Sequence, residues 1–91
     1  MKIPLKHILV QHRYQAEDIQ RLLKNGESFE RLAERFSICT SAPQGGDLGV
    51  VALDRLDPEF AESAGQLAEN QISAIVRTRF GYHIIFRYLA K

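Results

Sequence analysis

Two histidines and one cysteine are the residues of this sequence whose types could support chemistry at a shared site. His7 and His83 lie near opposite ends of the chain, each among apolar residues that predict a β-strand. Strands from the two chain ends can be neighbours in one sheet, so the imidazoles could lie side by side. A buried imidazole without a hydrogen bond costs roughly 1–3 kcal/mol, and the candidate partners are the other imidazole, Thr78 and Cys39. The alternative is that both are ordinary core histidines.

Cys39 is the only cysteine, and it lies in a stretch, residues 37–49, whose Gly, Pro and Ser content predicts a loop. It could be a small core residue, a redox thiol or a nucleophile paired with a histidine, as in a cysteine hydrolase. The chain has no obvious Asn or Asp to orient such a pair, which disfavours the hydrolase. One cysteine cannot form an internal disulfide, and three scattered histidines lack the spacing of a structural zinc site. We expect no metal and no cofactor.

The glycine-rich run at residues 45–49 could suggest a phosphate-binding loop. It lacks the Lys-Ser/Thr pair of such loops and leads into a predicted strand rather than a helix, so a turn that needs positive φ explains it better. Three apolar residues in and after this run, Leu48, Leu56 and Phe60, are either plain core residues or the walls of an apolar pocket beside the histidines.

The composition predicts one small globular domain. With 91 residues and 45% apolar content, the chain has room for a single domain over residues 1–91 and one modest core. Twelve basic and eleven acidic residues nearly cancel, which disfavours nucleic-acid binding. The N-terminus has no apolar signal region, and no segment has the length of a membrane span. We therefore expect a cytoplasmic monomer with no membrane contact.

Apolar periodicity predicts the elements that would position these residues. The order is strand, two or three helices, loop, strand, helix and a final pair of strands close enough for a hairpin, which is an α+β arrangement. Ser28 and Asp57 are the expected N-caps of the second and third helices. The predicted strands cover residues 3–11, 48–53, 72–78 and 82–89, and the predicted helices cover residues 16–25, 29–36 and 57–64.

Four segments together resemble the parvulin family, the PpiC-type peptidyl-prolyl cis–trans isomerases. They are His7-Ile8-Leu9-Val10, Ser37-Ile38-Cys39, Gly45-Gly46-Asp47-Leu48-Gly49 and Phe80-Gly81-Tyr82-His83-Ile84-Ile85. The resemblance covers essentially the whole chain in the family's order. It implies a parvulin-like α+β fold, with a four-stranded, mostly antiparallel sheet surrounded by about four helices.

The resemblance also implies roles for individual residues. His7 and His83 match the family's paired histidines, Cys39 matches a position that is Cys or Asp, and Thr78 matches a threonine bonded to the histidines. The remaining matches bind substrate: Leu48, Leu56 and Phe60 in the pocket for the substrate proline, with Phe80 at its rim.

The implied activity is non-covalent rotation about X-Pro bonds in proline-containing peptides and unfolded proteins. Relatives directed to phosphorylated substrates carry a basic cluster after the first strand. Here that loop reads Gln11-His12-Arg13-Tyr14-Gln15, and one arginine is a poor anchor for a dianion. We therefore expect no phosphate requirement.

Several positions depart from the family pattern. Leu56 stands where methionine is usual, Asp54 replaces a common glycine, Gly65 falls at a core phenylalanine position, and Ala74-Ile75 replaces Gly-Pro. We expect Gly65 to loosen packing behind the pocket helix. These departures motivate an alternative function, a weakly active or inactive parvulin-like domain that binds peptides as a chaperone module.

Overall fold

The computed structural model describes residues 2–89. Within them, one antiparallel sheet carries helices on both faces, the expected α+β architecture. The strands are β1 (Lys2–Val10), β2 (Asp47–Ala52), β3 (Gln71–Ile72), β4 (Val76–Thr78) and β5 (Gly81–Arg87), and the helices are α1 (Arg13–Lys24), α2 (Phe29–Phe36) and α3 (Pro58–Gly65).

The strands nearest the two chain ends form the centre of the sheet. The order is β2-β1-β5-β3, and β4 pairs with the same strand, β5, as β3 does. In the pairing of β1 with β5, Leu9 lies opposite His83 and His7 lies opposite Ile85. Because side chains alternate between the faces of a strand, the two histidines are diagonal neighbours on one face.

The two faces of the sheet bury separate cores. Ile8 and Val10 of β1 pack against α1 and α2, whereas Ile3 and Leu5 pack against α3. Apolar residues at both odd and even positions of β1 therefore fit its place inside the sheet. His7 and His83 lie on the face covered by α3.

The predicted caps begin the second and third helices. The Ser28 hydroxyl accepts a hydrogen bond from the Arg31 amide, and the Asp57 carboxylate accepts one from the Glu59 amide. The first helix begins three residues earlier than predicted. There the Gln15 side chain accepts from the His12 amide, a cap outside the usual Ser, Thr, Asp and Asn set.

The prediction of one strand over residues 72–78 is wrong. Two short strands, β3 and β4, lie there instead, separated by residues 73–75. The Ser73 hydroxyl accepts a hydrogen bond from the Ile85 amide, while the Ser73 amide donates to the Ile85 carbonyl. A side chain thus replaces the backbone acceptor, and the strand is interrupted at that point.

The element counts also differ from those implied by the resemblance. Within residues 2–89 there are five strands and three α-helices, and single turns of 3₁₀ helix at Ala42–Gln44 and Leu53–Arg55 account for the remaining helical structure. Gly65, expected to loosen the core, is exposed at the end of α3, while Ala64 and Leu67 beside it are buried. None of the helices in this part of the chain has the length and apolar character needed to span a membrane.

Gly46 joins the central loop to β1. Its carbonyl accepts a hydrogen bond of 2.9 Å from the His7 amide, and its φ is +81°. A Cβ at this position would overlap the carbonyl oxygen of His7, a backbone atom that side-chain rotation cannot move. The close approach of two backbone segments beside His7 therefore requires glycine.

Replacing Gly46 by alanine should destabilise the domain strongly. We expect Gly46→Ala to lower the free energy of unfolding by at least about 3 kcal/mol, because steric overlap adds to the backbone strain. Gly26→Ala is the matched control, since Gly26 has φ +92° with open space around it. It should lose only about 1–2 kcal/mol from positive φ. Equal losses in urea denaturation would contradict the role of the close approach.

Candidate active site

The two histidines form a buried, hydrogen-bonded pair. Their Nδ1 atoms are 3.1 Å apart, and their rings stack with centroids 5.3 Å apart and planes at 19°. His7 is 5% exposed and His83 is 4% exposed. The predicted contact between strands from the two chain ends is confirmed.

Thr78 fixes the far side of the pair. Its hydroxyl oxygen lies 2.7 Å from His83 Nε2 and accepts a hydrogen bond from the Phe80 amide. If the hydroxyl donates to His83 Nε2, then His83 Nδ1–H donates to His7 Nδ1 and the His7 proton lies on Nε2. This arrangement gives the single Thr78 hydrogen an acceptor. His7 Nε2 has no hydrogen-bond partner within the described chain.

Both imidazoles are neutral at neutral pH. Burial, with a smaller contribution from the neighbouring His83, lowers the pKa of His7 to about 4. Burial likewise lowers the pKa of His83 to about 4, partly opposed by the negative charge of Asp57. The pair is therefore suited to hydrogen bonding rather than to carrying a charge.

An apolar pocket of about 280 Å³ opens over the imidazoles. This volume is slightly below the ~300–1,000 Å³ of pockets for drug-sized ligands, so it suits a small apolar group. Phe60 meets both imidazoles with its ring edge-on, at centroid distances of 5.5 and 5.1 Å. The residues that line the pocket are His7, Leu9, Cys39, Leu48, Leu56, Asp57, Phe60, Phe80 and His83.

The structure brings together every residue that the sequence predicted for the site. Thr78 alone lies outside the pocket lining, behind His83. Phe80 is 56% exposed, consistent with a place at the rim. Sequence reasoning missed Leu9 and treated Asp57 only as a helix cap. Leu9 is two residues after His7 on the same strand, so the two side chains share one face. This spacing was the signal that could have identified Leu9.

A β-bulge turns Leu48 into the pocket. Opposite β1, Leu5 pairs with Gly49 and Lys6 pairs with Asp47, so Leu48 is the extra residue of β2. Gly49 has φ +72°, the conformation typical of a glycine bulge. The Asp47 carboxylate stabilises the bulge by accepting hydrogen bonds from the Gly49 amide and the Tyr88 hydroxyl. Leu48 therefore lies on the same face as the imidazoles.

Hydrogen bonds to β1 hold Cys39 at the pocket wall. The Ser37 hydroxyl accepts from the amides of Leu9 and Cys39, and the Ile38 amide donates to the Leu9 carbonyl. Burial alone would raise the pKa of the half-buried Cys39 thiol, but hydrogen bonds with Ser41 and Thr40 outweigh burial and lower it. No side-chain hydrogen bond within residues 2–89 joins Cys39 to either imidazole. The arrangement lacks the Cys-His contact of a hydrolase.

Asp57 adds one charged group to the apolar pocket. Its carboxylate is 10% exposed and lies 3.5 Å from the guanidinium of the exposed Arg79. Hydrogen bonding with Glu59, first with its side chain and then with its backbone amide, outweighs burial and lowers the pKa of Asp57. Within the described residues, no group of three or more His, Cys, Asp or Glu side chains could hold a metal ion.

Comparisons with known proteins agree on one family. The family described as "Rotamase: PPIC-type PPIASE domain" matches residues 7–87. The chain is 44% identical over 85 residues to "Foldase protein PrsA" of Bacillus subtilis (strain 168), an alignment that covers 92% of this chain and 29% of the foldase. The chain thus spans less than a third of the length of the curated foldases it matches first.

Solved structures share the fold at high similarity. The crystal structure of PrsA from Bacillus subtilis superposes with a TM-score of 0.94 at 41% identity, covering 98% of this chain and 35% of that one. The solution structure of NmPin, the parvulin of Nitrosopumilus maritimus, superposes with a TM-score of 0.87 at 37% identity, covering 97% and 96% of the two chains. With these matches and the histidine pair beneath an apolar pocket, the chain belongs to the PPIC-type peptidyl-prolyl cis–trans isomerase domains, the parvulin family.

Proposed function

We propose that this domain accelerates rotation about X-Pro bonds by binding the proline ring in the apolar pocket above the imidazole pair. The observation that carries the proposal is a mainly apolar pocket whose floor is two neutral, hydrogen-bonded imidazoles and whose one charged lining residue is Asp57. The substrates are proline-containing peptides and unfolded polypeptides. No bond is broken and no cofactor takes part.

The energy required is within reach of such a pocket. Amide resonance sets a rotation barrier of roughly 18–20 kcal/mol. Only interactions that are stronger with the twisted amide than with either planar form lower this barrier. A thousandfold acceleration needs about 4 kcal/mol of such differential binding.

The pocket favours the twisted amide through its low polarity. A twisted amide loses resonance, so its carbonyl is less dipolar than that of a planar amide. The twisted amide therefore loses less hydration free energy when it moves from water into the pocket. Leu48, Leu56 and Phe60 hold the proline ring, which fixes one side of the bond while the other side rotates. Phe80 covers the rim.

The imidazoles act as a rigid floor rather than as an acid and a base. Thr78 holds His83, and His83 holds His7, so each ring has a fixed orientation. The His7–His83 pair remains neutral at neutral pH. Proton transfer to the amide is not part of the mechanism.

Cys39 lies in the pocket wall, where its thiol adjusts the electrostatics near the substrate carbonyl without attacking it. The imidazoles bond to each other and to Thr78, so neither is arranged to take the thiol proton. Covalent catalysis would need such a base.

Phosphate is not required of the substrate. The one arginine of residues 11–15, Arg13, is the first residue of α1 and lies 3.6 Å from the Glu17 carboxylate, which partly satisfies its charge. Substrate choice is therefore expected to rest on the apolar pocket and its surroundings.

Location and assembly remain predictions from composition. The cytoplasmic location, the monomeric state and the absence of nucleic-acid or membrane partners rest on the charge balance and the apolar pattern of the sequence. Several relatives are named "Chaperone SurA" and others "Foldase protein PrsA", which supports unfolded polypeptides as the substrates of this domain.

Two-dimensional NMR exchange on an Ala-Leu-Pro-Phe peptide tests the proposed activity. We expect cis–trans cross-peaks that appear only when a catalytic amount of the protein is added. Phe60→Ala should weaken them by at least about tenfold, because it removes the main contact with the proline ring, worth about 1.4 kcal/mol or more. Shifted peptide peaks without exchange would instead favour the peptide-binding module.

Substitution at Cys39 separates the electrostatic role from a covalent one. We expect Cys39→Ser and Cys39→Asp to keep kcat/KM within about tenfold of the unmodified protein, because neither change removes an obligatory nucleophile. The measurement is the same exchange assay, with circular dichroism to verify folding. Complete loss in both folded variants would argue for a covalent step.

The histidine pair predicts a stability that falls in mild acid. The pKa of each imidazole is about 4 in the folded chain and about 6.5 in an unfolded one, so between these values the unfolded chain binds more protons. Stability should be constant above pH 7 and should fall by on the order of 1–2 kcal/mol per imidazole at pH 5. Urea denaturation at pH 7.5, 6 and 5 measures this change.

Activity should not follow the same pH profile. The folded imidazoles stay neutral until pH approaches about 4, so kcat/KM should be nearly flat from pH 7.5 to 5.5 while the protein remains folded. For the stability profile, His7→Gln removes one of the two titrating groups, so the free energy of unfolding should fall less between pH 7.5 and pH 5 in this variant. A kcat/KM that falls with a midpoint near 6.5 would show that the imidazoles are not shielded.

A further inference from the structure

The outer edge of β2 is open along its second half. β2 is the end strand of the sheet, and within residues 2–89 no other strand pairs with this edge. Unpaired N–H and C=O groups on an edge strand can pair with another extended chain, and proteins usually block this with charges, proline or bulges. The bulge at Leu48 affects only the first half. Residues 50–52 carry neither charge nor proline, and Val50 is 60% exposed.

A groove that includes residues of this edge lies next to the apolar pocket. The groove has a volume of about 600 Å³ and is bounded by residues 50–52, by Lys2 of β1 and by the 3₁₀ turn that follows β2. Leu56, just after that turn, lines both the groove and the pocket. A polypeptide that leaves the pocket on the side of Leu56 therefore reaches the groove.

A bound X-Pro substrate has the conformation that this edge requires. Steric clash with the proline ring restricts the preceding residue to extended backbone. An extended segment can add to a free strand edge, where main-chain hydrogen bonds supply affinity and neighbouring side chains supply specificity. Residues 50–52 offer about 10 Å of strand, enough for three residues of a bound chain.

We propose that residues 50–52 of β2, with Lys2 and Arg55, form an extended-chain subsite for the polypeptide that flanks the substrate proline. This inference rests on the proposed isomerase function and names the substrate class more closely. Lys2 and Arg55 line the groove together with one acidic residue, Asp54, and no ion pair within the described chain includes either cation. The preferred flanking segment is extended, apolar at alternate positions and acidic at one.

The test compares short and extended peptides. The core is Ala-Leu-Pro-Phe, and two longer peptides add Val-Thr-Val-Glu before or after it. We expect one extended peptide to gain at least about fivefold in kcat/KM over the core, equivalent to about 1 kcal/mol, mainly through a lower KM. Val50→Glu should abolish this gain while leaving turnover of the core peptide unchanged. Arg55→Glu should reduce the gain, because the extension carries a glutamate.

Ile72→Glu is the matched control, because Ile72 is also an exposed apolar strand residue but lies on β3 at the other end of the sheet. It should leave the gain intact. The inference is overturned if neither extension raises kcat/KM, or if Val50→Glu and Ile72→Glu have the same effect.

Amide chemical shifts keep this inference separate from the proposed function. If the core peptide is not turned over at all, the isomerase proposal fails, and the groove is judged by binding alone. The extended peptide that gains should then shift the amides of residues 50–52, and the core peptide should not. Unshifted amides in the presence of saturating extended peptide would overturn the subsite.

Discussion

The register of β1 against β5 is the constraint on which the rest of this structure depends. It places Leu9 opposite His83 and His7 opposite Ile85, so both imidazoles point to the face covered by α3. Side chains alternate along a strand with a period of two. A slip of one residue would move one histidine to the face packed by α1 and α2, where it would lose its partner. The candidate site is therefore set by backbone pairing at the centre of the sheet.

One physical condition, the exclusion of water, accounts for both the neutrality of the imidazoles and the low polarity of the pocket above them. Burial depresses the pKa of His7 and His83 and keeps them neutral, which lets two rings lie within hydrogen-bond distance without repulsion. The same burial leaves a low-polarity space lined by Leu48, Leu56 and Phe60. A charged pair of imidazoles would attract water and raise the polarity of the pocket, which would then no longer favour the twisted amide.

Much of the fold and most of the candidate site could be predicted from the sequence. Alternation along β1, the caps Ser28 and Asp57 and the histidines on strands from opposite chain ends are local signals, and local signals are visible in a single chain. The lining of the pocket by Cys39 and the position of Thr78 behind His83 agree with the resemblance to the parvulin family.

The features that escaped prediction depend on non-local hydrogen bonds. The bulge at Leu48 is defined only by the register against β1, and the interruption at Ser73 is defined by its bonds to Ile85. Asp57 looked like an ordinary helix cap, and only the packing of α3 against the sheet shows its carboxylate in the pocket wall. Sequence patterns report which face a residue occupies, but not which distant backbone group it meets.

The placement of the two chain ends at the centre of the sheet also has a kinetic consequence. The imidazole contact joins residues separated by 76 positions, among the longest loops that this chain can close. Contacts of that range form late, because the entropy of loop closure must be overcome before they stabilise anything. During synthesis, β1 and all three helices are complete before β5 exists. A nascent domain of this kind therefore has no floor to its pocket until β5 is available, and it acquires its isomerase site as one of the last events of its own folding.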